Sequence, residues 1–186
     1  MSLARRAKDQ ACRMAAVASL LLLACSPAVA GTESLEHPVK AEYLVKFAAF
    51  VEWPRGAFPS DDAPITICVH GADPFGPHLD DAAAAHTVAG RPVVARRLAR
   101  IDARSGCHVA YLGRSREQTL GAAMAALRGA PVLVVTDQAW TRRRGMIHFV
   151  VVRKRVRFHI DDHAARRARL SISSRLLSLA LSVKVN

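Results

Sequence analysis

Cys68, Cys107, and a short list of titratable side chains hold most of the chemistry that this 186-residue chain could perform. Cys107 is followed directly by His108. A thiolate and its imidazole base meet across a fold rather than along the chain, and neighbours on a strand point to opposite faces. The adjacency therefore reads as a disulfide cysteine beside a packed or exposed histidine. Arg157 and His159 are arranged differently. In Val156-Arg157-Phe158-His159-Ile160 the apolar residues alternate with them, so both polar side chains leave the sheet on one face. A guanidinium beside an imidazole on a firm strand is a candidate small-anion seat; the plainer reading is a solvated strand face. Asp161-Asp162-His163 could suggest a metal, yet two aspartates at the mouth of a helix chiefly meet its exposed N–H groups, and zinc wants three or four converging ligands. No metal and no cofactor are expected. A Gly-x-Ser-x-Gly elbow, a Walker loop and a Gly-x-Gly-x-x-Gly turn are all missing from the sequence, so the chain does not read as an enzyme.

The first thirty residues read as a cleavable secretory signal peptide. Arg5, Arg6, Lys8 and Arg13 form a basic head, Met14 to Cys25 is an apolar run, and Ala28-Val29-Ala30 has the small-residue pattern of a cleavage site. The run is about a dozen residues, short of the roughly 20 that span a bilayer. Cleavage there gives a soluble product starting near Gly31. Leu22-Leu23-Ala24-Cys25 offers the alternative of a lipoprotein anchored through Cys25. Removing the leader takes Cys12 and Cys25 with it, and two remaining thiols in an oxidising compartment read as one disulfide, Cys68 to Cys107. The formal charge is +12. Such a balance could point to nucleic acid, but a secreted protein meets little of it. The basic residues are also scattered, with neither zinc-finger spacing nor an aromatic ribonucleoprotein motif. The charge reads as solubility, or as attraction to an anionic membrane surface or an acidic partner.

Residues 31–186 are enough for one domain with a real core. His37 to Trp53 is a predicted helix, with Val39, Tyr43, Phe47 and Phe50 on its apolar stripe and Lys40, Glu42, Lys46 and Glu52 on a wetter side. Phe47, Phe50 and Trp53 recur at spacings of three; the default is that they pack on a sheet, and rings left partly uncovered would form a partner-docking patch. Ile65–His70 is a buried strand. Asp73-Pro74 opens a helix to about Ala85. Pro92–Leu98 and Cys107–Leu112 are strands, and Ser115 with Gln118 forms a capping box for a helix to Leu127. Pro131–Thr136 is the most apolar strand and so a central one. Met146–Val152 and Arg155–Ile160 form a hairpin turned at Arg153-Lys154. Asp161 or Asp162 caps a helical tail whose stripe is Leu170, Ile172, Leu176, Leu179 and Val183. The order predicts a single three-layer α/β domain: a mixed sheet with a parallel centre and a late antiparallel hairpin, and helices on both faces.

The segments VKAEYLVKFAAFVEWP, ITICVHGADPFG, CHVAYLG, PVLVVTD, GMIHFVVVRKRVRFHI and LSISSRLLSLA occur in this order. Together they closely resemble the YfiR-like periplasmic proteins over about Val39 to Val183. The resemblance implies regulation rather than turnover: a secreted inhibitor that binds the periplasmic part of an inner-membrane diguanylate cyclase of the YfiN type. Cyclic di-GMP and biofilm formation would fall as a result. It implies an outer-membrane OmpA-like lipoprotein of the YfiB type as a second partner, and a homodimer as a further assembly. No nucleic acid partner is expected. It also implies that the bridge between Cys68 and Cys107 gives redox state as an input. Some relatives carry a second cysteine pair near the late hairpin; this chain has none there, so a two-bridge switch does not carry over. The alternative function is a periplasmic small-anion or metabolite-binding domain without a cyclase partner, with Arg157 and His159 facing the ligand.

Overall fold

The computed structural model describes residues 35–186. The predicted leader, with its cleavage sites at Ala30 and Cys25, lies outside the described residues. The elements run α1 (Glu36–Ala49), β1 (Val51–Glu52), β2 (Ile65–His70), α2 (Pro77–Ala84), β3 (Thr87–Val88), β4 (Arg91–Leu98), β5 (Val109–Leu112), α3 (Leu120–Ala126), β6 (Leu133–Asp137), β7 (Ile147–Val152), β8 (Arg155–Asp161), α4 (Asp162–Arg167), β9 (Ser171–Ile172), α5 (Ser174–Leu177) and β10 (Ser182–Lys184). The fold is α/β, as predicted. Eight strands form one sheet in the order β10-β8-β7-β6-β5-β2-β4-β3. The run from β4 through β2, β5 and β6 to β7 is parallel, and β7–β8 is the antiparallel hairpin. Its two turn residues, Arg153 and Lys154, both take positive φ (50° and 61°), as a tight hairpin between right-twisted strands requires.

Alternation along the strands sorts the core into two layers. Ile67, Val69, Tyr111, Val135 and Phe149 pack with Leu44 and Phe47 of α1 and Leu79 of α2. Cys68, Ala110, Leu112 and Val134 pack on the other face with Ala123 of α3 and with Leu127 and Ile101. Helices thus cover both faces of the sheet.

Several boundaries differ from the sequence reading, each for a tertiary reason. The first helix stops at Ala49, and Val51–Glu52 pairs instead with Ser171–Ile172 as a two-stranded antiparallel ribbon. A β-branched valine shortly before Pro54 favours that exchange. The helix is also rotated against the predicted stripe: Val39 is 40 % exposed, whereas Lys40, read as wet, is 1 % exposed. Lys40 Nζ lies 2.5 Å from Asp137 Oδ2 and 2.5 Å from Glu36 Oε1. Asp137 also accepts the Ala139 N–H (2.9 Å) and the Tyr111 hydroxyl (3.3 Å), and Trp140 Nε1 donates to that hydroxyl at 2.8 Å. Burial, and after it the charge of Asp137, push the Tyr111 phenol far above its ordinary value, so it remains a donor.

The second helix begins at Pro77, not at Pro74; the Asp73 carboxylate instead accepts the N–H groups of Phe75 and Gly76 in a turn. Thr119, not Ser115, caps α3. Gln118 reaches both the N–H and the C=O of Ile101, tying the loop before β5 to the helix rather than closing a capping box. The tail is not one helix. Arg169 at φ 60° ends α4, and β9, α5 and β10 follow. Leu170, Ile172 and Leu176 are buried as expected, but Leu179 is 62 % exposed.

At the carboxyl ends of β2 and β5 two glycines let the backbones cross closely. Ala72 N–H donates to Arg114 O (2.7 Å) and Gly113 N–H to His70 O (2.9 Å). A Cβ on Gly71, which has φ 74°, would meet the Arg114 carbonyl, and one on Gly113 the Ala72 carbonyl. His70 sits beneath this crossing, fully buried, and neither ring nitrogen has a well-formed hydrogen bond among the described residues. Burial holds its imidazole below the usual value of about 6.5, against the opposing influence of Gly113 and Gln118. Burial does the same for His108 and His148. The unfolded chain therefore takes up protons before the folded one, so stability is fully present above about pH 6.5 and falls as pH drops below it. We expect melting temperature to decline from pH 7.5 to pH 5, and His70→Leu to flatten that decline. An unchanged slope in the variant would show that His70 is not among the groups responsible.

Candidate functional site

The disulfide sits where β2 and the entry to β5 meet. Cys68 and Cys107 are joined with a Cα–Cα distance of 5.7 Å, and they are 0 % and 7 % exposed. His108 is held on both nitrogens: Nδ1 accepts the Thr66 N–H at 3.0 Å, and Nε2 lies 3.2 Å from Ala57 O, so the proton resides on Nε2. A bonded sulfur and a fully engaged imidazole leave this Cys–His neighbour pair no nucleophilic chemistry.

Beside it lies an aromatic cluster. The His108 ring stacks on Phe58 with centroids 4.2 Å apart, and Trp53 meets both rings edge-on at 6.0 and 6.1 Å. The Arg91 guanidinium stands 4.1 Å over Phe58 and donates to Ser60 O and Ala63 O, pinning the connection between β1 and β2. An open depression of about 620 Å³ borders the cluster, lined by Trp53, Arg55, Phe58, Asp61 and Arg91 among others. Trp53 Nε1 is buried with no partner among the described residues.

Of the three rings singled out in the sequence, Phe47 is 0 % exposed and locked among Tyr43, Phe149 and Phe158, with centroids 5.0 to 5.7 Å away. Phe50 and Trp53 are half-buried and sit beyond the end of α1 rather than on one helical face with Phe47. Phe58, Arg91 and His108 were not linked to them by any sequence pattern. The signal available was Trp53 and Phe58 bracketing a Pro-Arg-Gly turn.

Arg157 and His159 do leave β8 on one face, since Val156, Phe158 and Ile160 fill the core. Arg157 donates to Val156 O at 3.2 Å and His159 Nδ1 contacts Ser182 Oγ at 2.7 Å. The hairpin register sets His148 opposite His159. Thr136 Oγ1 accepts the Gly145 N–H and lies 2.8 Å from His148 Nδ1, placing a buried imidazole behind the half-buried one. Burial first, and Arg144 second, hold His159 and His148 below the usual imidazole value. His148 was legible in principle, because a two-residue turn at 153–154 fixes which residues face each other.

No curated protein matches the chain. The family profile described as YfiR/HmsC-like matches residues 37–181, which takes in all of α1 but its first residue, the disulfide, the aromatic cluster and the late hairpin. With that match running through every sheet strand but the last, the chain belongs to the YfiR/HmsC-like family.

Proposed function

We propose that the protein is a secreted periplasmic regulator that binds the periplasmic part of an inner-membrane diguanylate cyclase of the YfiN type and holds it inactive. Cyclic di-GMP and biofilm formation fall in consequence. Membership of the YfiR/HmsC-like family over residues 37–181 carries this reading. The structural use of Cys107 and His108 supports a binding role over a catalytic one. Trp53, half-buried in the lining of an open depression that Arg55 and Arg91 share, and Phe50, half-buried just past the end of α1, supply the docking surface, while Phe47 stays in the core. Aromatic and arginine side chains are the residue types that dominate binding energy at such surfaces. An OmpA-like lipoprotein of the YfiB type competes for the regulator, and a homodimer is its resting assembly.

Inhibition requires tighter binding to the inactive cyclase than to the active one; a difference of about 3 kcal/mol biases the equilibrium more than a hundredfold. Deleting the gene is expected to raise cyclic di-GMP. Wild-type protein should restore the low level, and a Phe50→Ala/Trp53→Ala variant, folded by circular dichroism, should not. An unchanged level after deletion, with the cyclase expressed, would sink the proposal.

A further inference from the structure

A second concavity, of about 400 Å³, opens between α3, the residues entering β7, and α4. Its floor is apolar: Met124 and Leu127 from α3 and its end, Val134 from β6, Met146 ahead of β7, and Ala164 and Ala168 from α4 and its end. Three guanidinium-bearing residues line it as well, Arg128, Arg144 and Arg167, all exposed. None of the three guanidiniums has a hydrogen-bond or ion-pair partner among the described residues. That separates them from Arg97, which is paired with Asp73 and Asp80, and from Arg166, paired with Asp162. The cleft holds one carboxylate, Asp161, and it is already engaged: Oδ1 accepts the Ala164 N–H at 2.8 Å, and Oδ2 lies 3.4 Å from Lys184 Nζ. Three arginines therefore outweigh one carboxylate around an apolar floor.

Apolar walls reward burial of a hydrocarbon body, and unpaired guanidiniums match the two-oxygen edge of a carboxylate or phosphate. The size lies within the range of small-molecule sites. We propose that this cleft binds an amphiphilic organic anion, one carboxylate or phosphate head on an apolar body, with Arg144 and Arg167 holding the head. The site is separate from the Phe50–Trp53 surface, and it neither requires nor follows from the cyclase reading.

The test is calorimetric titration of the purified protein at low salt with decanoate and, separately, with decyl phosphate. At least one probe should bind saturably at one site, and which one binds tighter identifies the head. Arg144→Gln/Arg167→Gln should weaken that binding at least tenfold, with its melting temperature unchanged because both side chains are exposed. Met124→Glu, which sets a carboxylate against the cleft wall, should weaken it similarly. 1-Decanol should not compete at the same concentration. The proposal is overturned if neither probe binds saturably, or if the double variant binds as wild type does. It is equally overturned if decanol competes as well as the anions, or if inorganic phosphate alone binds as tightly as either probe.

Discussion

Lys40→Met is expected to destabilise the folded protein by about 3–5 kcal/mol, the usual cost of breaking a buried ion pair from one side. The lysine is 1 % exposed and the Asp137 carboxylate it meets is also 1 % exposed. Removing the ammonium leaves that carboxylate with the Ala139 N–H and the Tyr111 hydroxyl alone, both neutral donors. Against a typical total of roughly 5–15 kcal/mol this is a large fraction. For a domain of this size it corresponds to a fall of about 6–20 °C in melting temperature. Asp137→Leu strands the ammonium instead, but Glu36, 32 % exposed, still faces it, so the loss should be smaller. The double variant Lys40→Met/Asp137→Leu removes both charges and is expected to recover most of the stability. Urea unfolding of the four proteins closes the cycle. Lys40→Met within 1 kcal/mol of wild type would mean that the pair is held in water rather than in the core.

That pair also marks where sequence reading stops. Ile65–His70 was legible to the residue, because five successive apolar or β-branched positions, Ile65 to Val69, between turn-forming segments leave few other options. The Arg153-Lys154 turn was legible because two adjacent basic residues interrupt two runs rich in β-branched and aromatic residues, Ile147–Val152 and Val156–Ile160. Lys40 was not, because its partner lies 97 residues away and nothing in a helical wheel announces it. A lysine on a wheel is assigned to water by default, and only the carboxyl end of β6 overrules the default. The same applies to Val51–Glu52: the helical period runs through them, but strand pairing with Ser171–Ile172 wins. Leu179 failed in the opposite direction. Its spacing fits a buried stripe, yet the chain leaves the helix at Arg169 and carries it to the surface. Of the candidate site, the two cysteines and the shared face of Arg157 and His159 could be read directly. The cluster of Trp53, Phe58, Arg91 and His108 joins a connection, a strand start and a strand entry, and local periodicity is blind to such convergence.

Opening the Cys68–Cys107 bridge should have an effect of the same order on stability and a second one on binding. Closing a loop of 39 residues corresponds to about 4 kcal/mol in the chain-entropy model. Cys68→Ala/Cys107→Ala should therefore melt well below the oxidised wild type and close to the reduced wild type, and should no longer respond to dithiothreitol. Because the two cysteines are 0 % and 7 % exposed, reduction of the wild type should be slow unless the protein opens. The functional consequence runs through the next residue. His108 follows Cys107, holds Ala57 O, stacks on Phe58 and meets Trp53 edge-on. A bridge that fixes the entry to β5 thus also fixes the ring that Trp53 of the proposed docking surface rests against. Loss of the bridge is expected to weaken binding to the periplasmic part of the cyclase and to raise cyclic di-GMP, at a temperature where the variant is still folded. Calorimetry with the purified periplasmic part and cyclic di-GMP measured in complemented cells give the two readings. A variant that melts lower yet binds and represses like wild type would confine the disulfide to stability and leave redox state without a route to the cyclase.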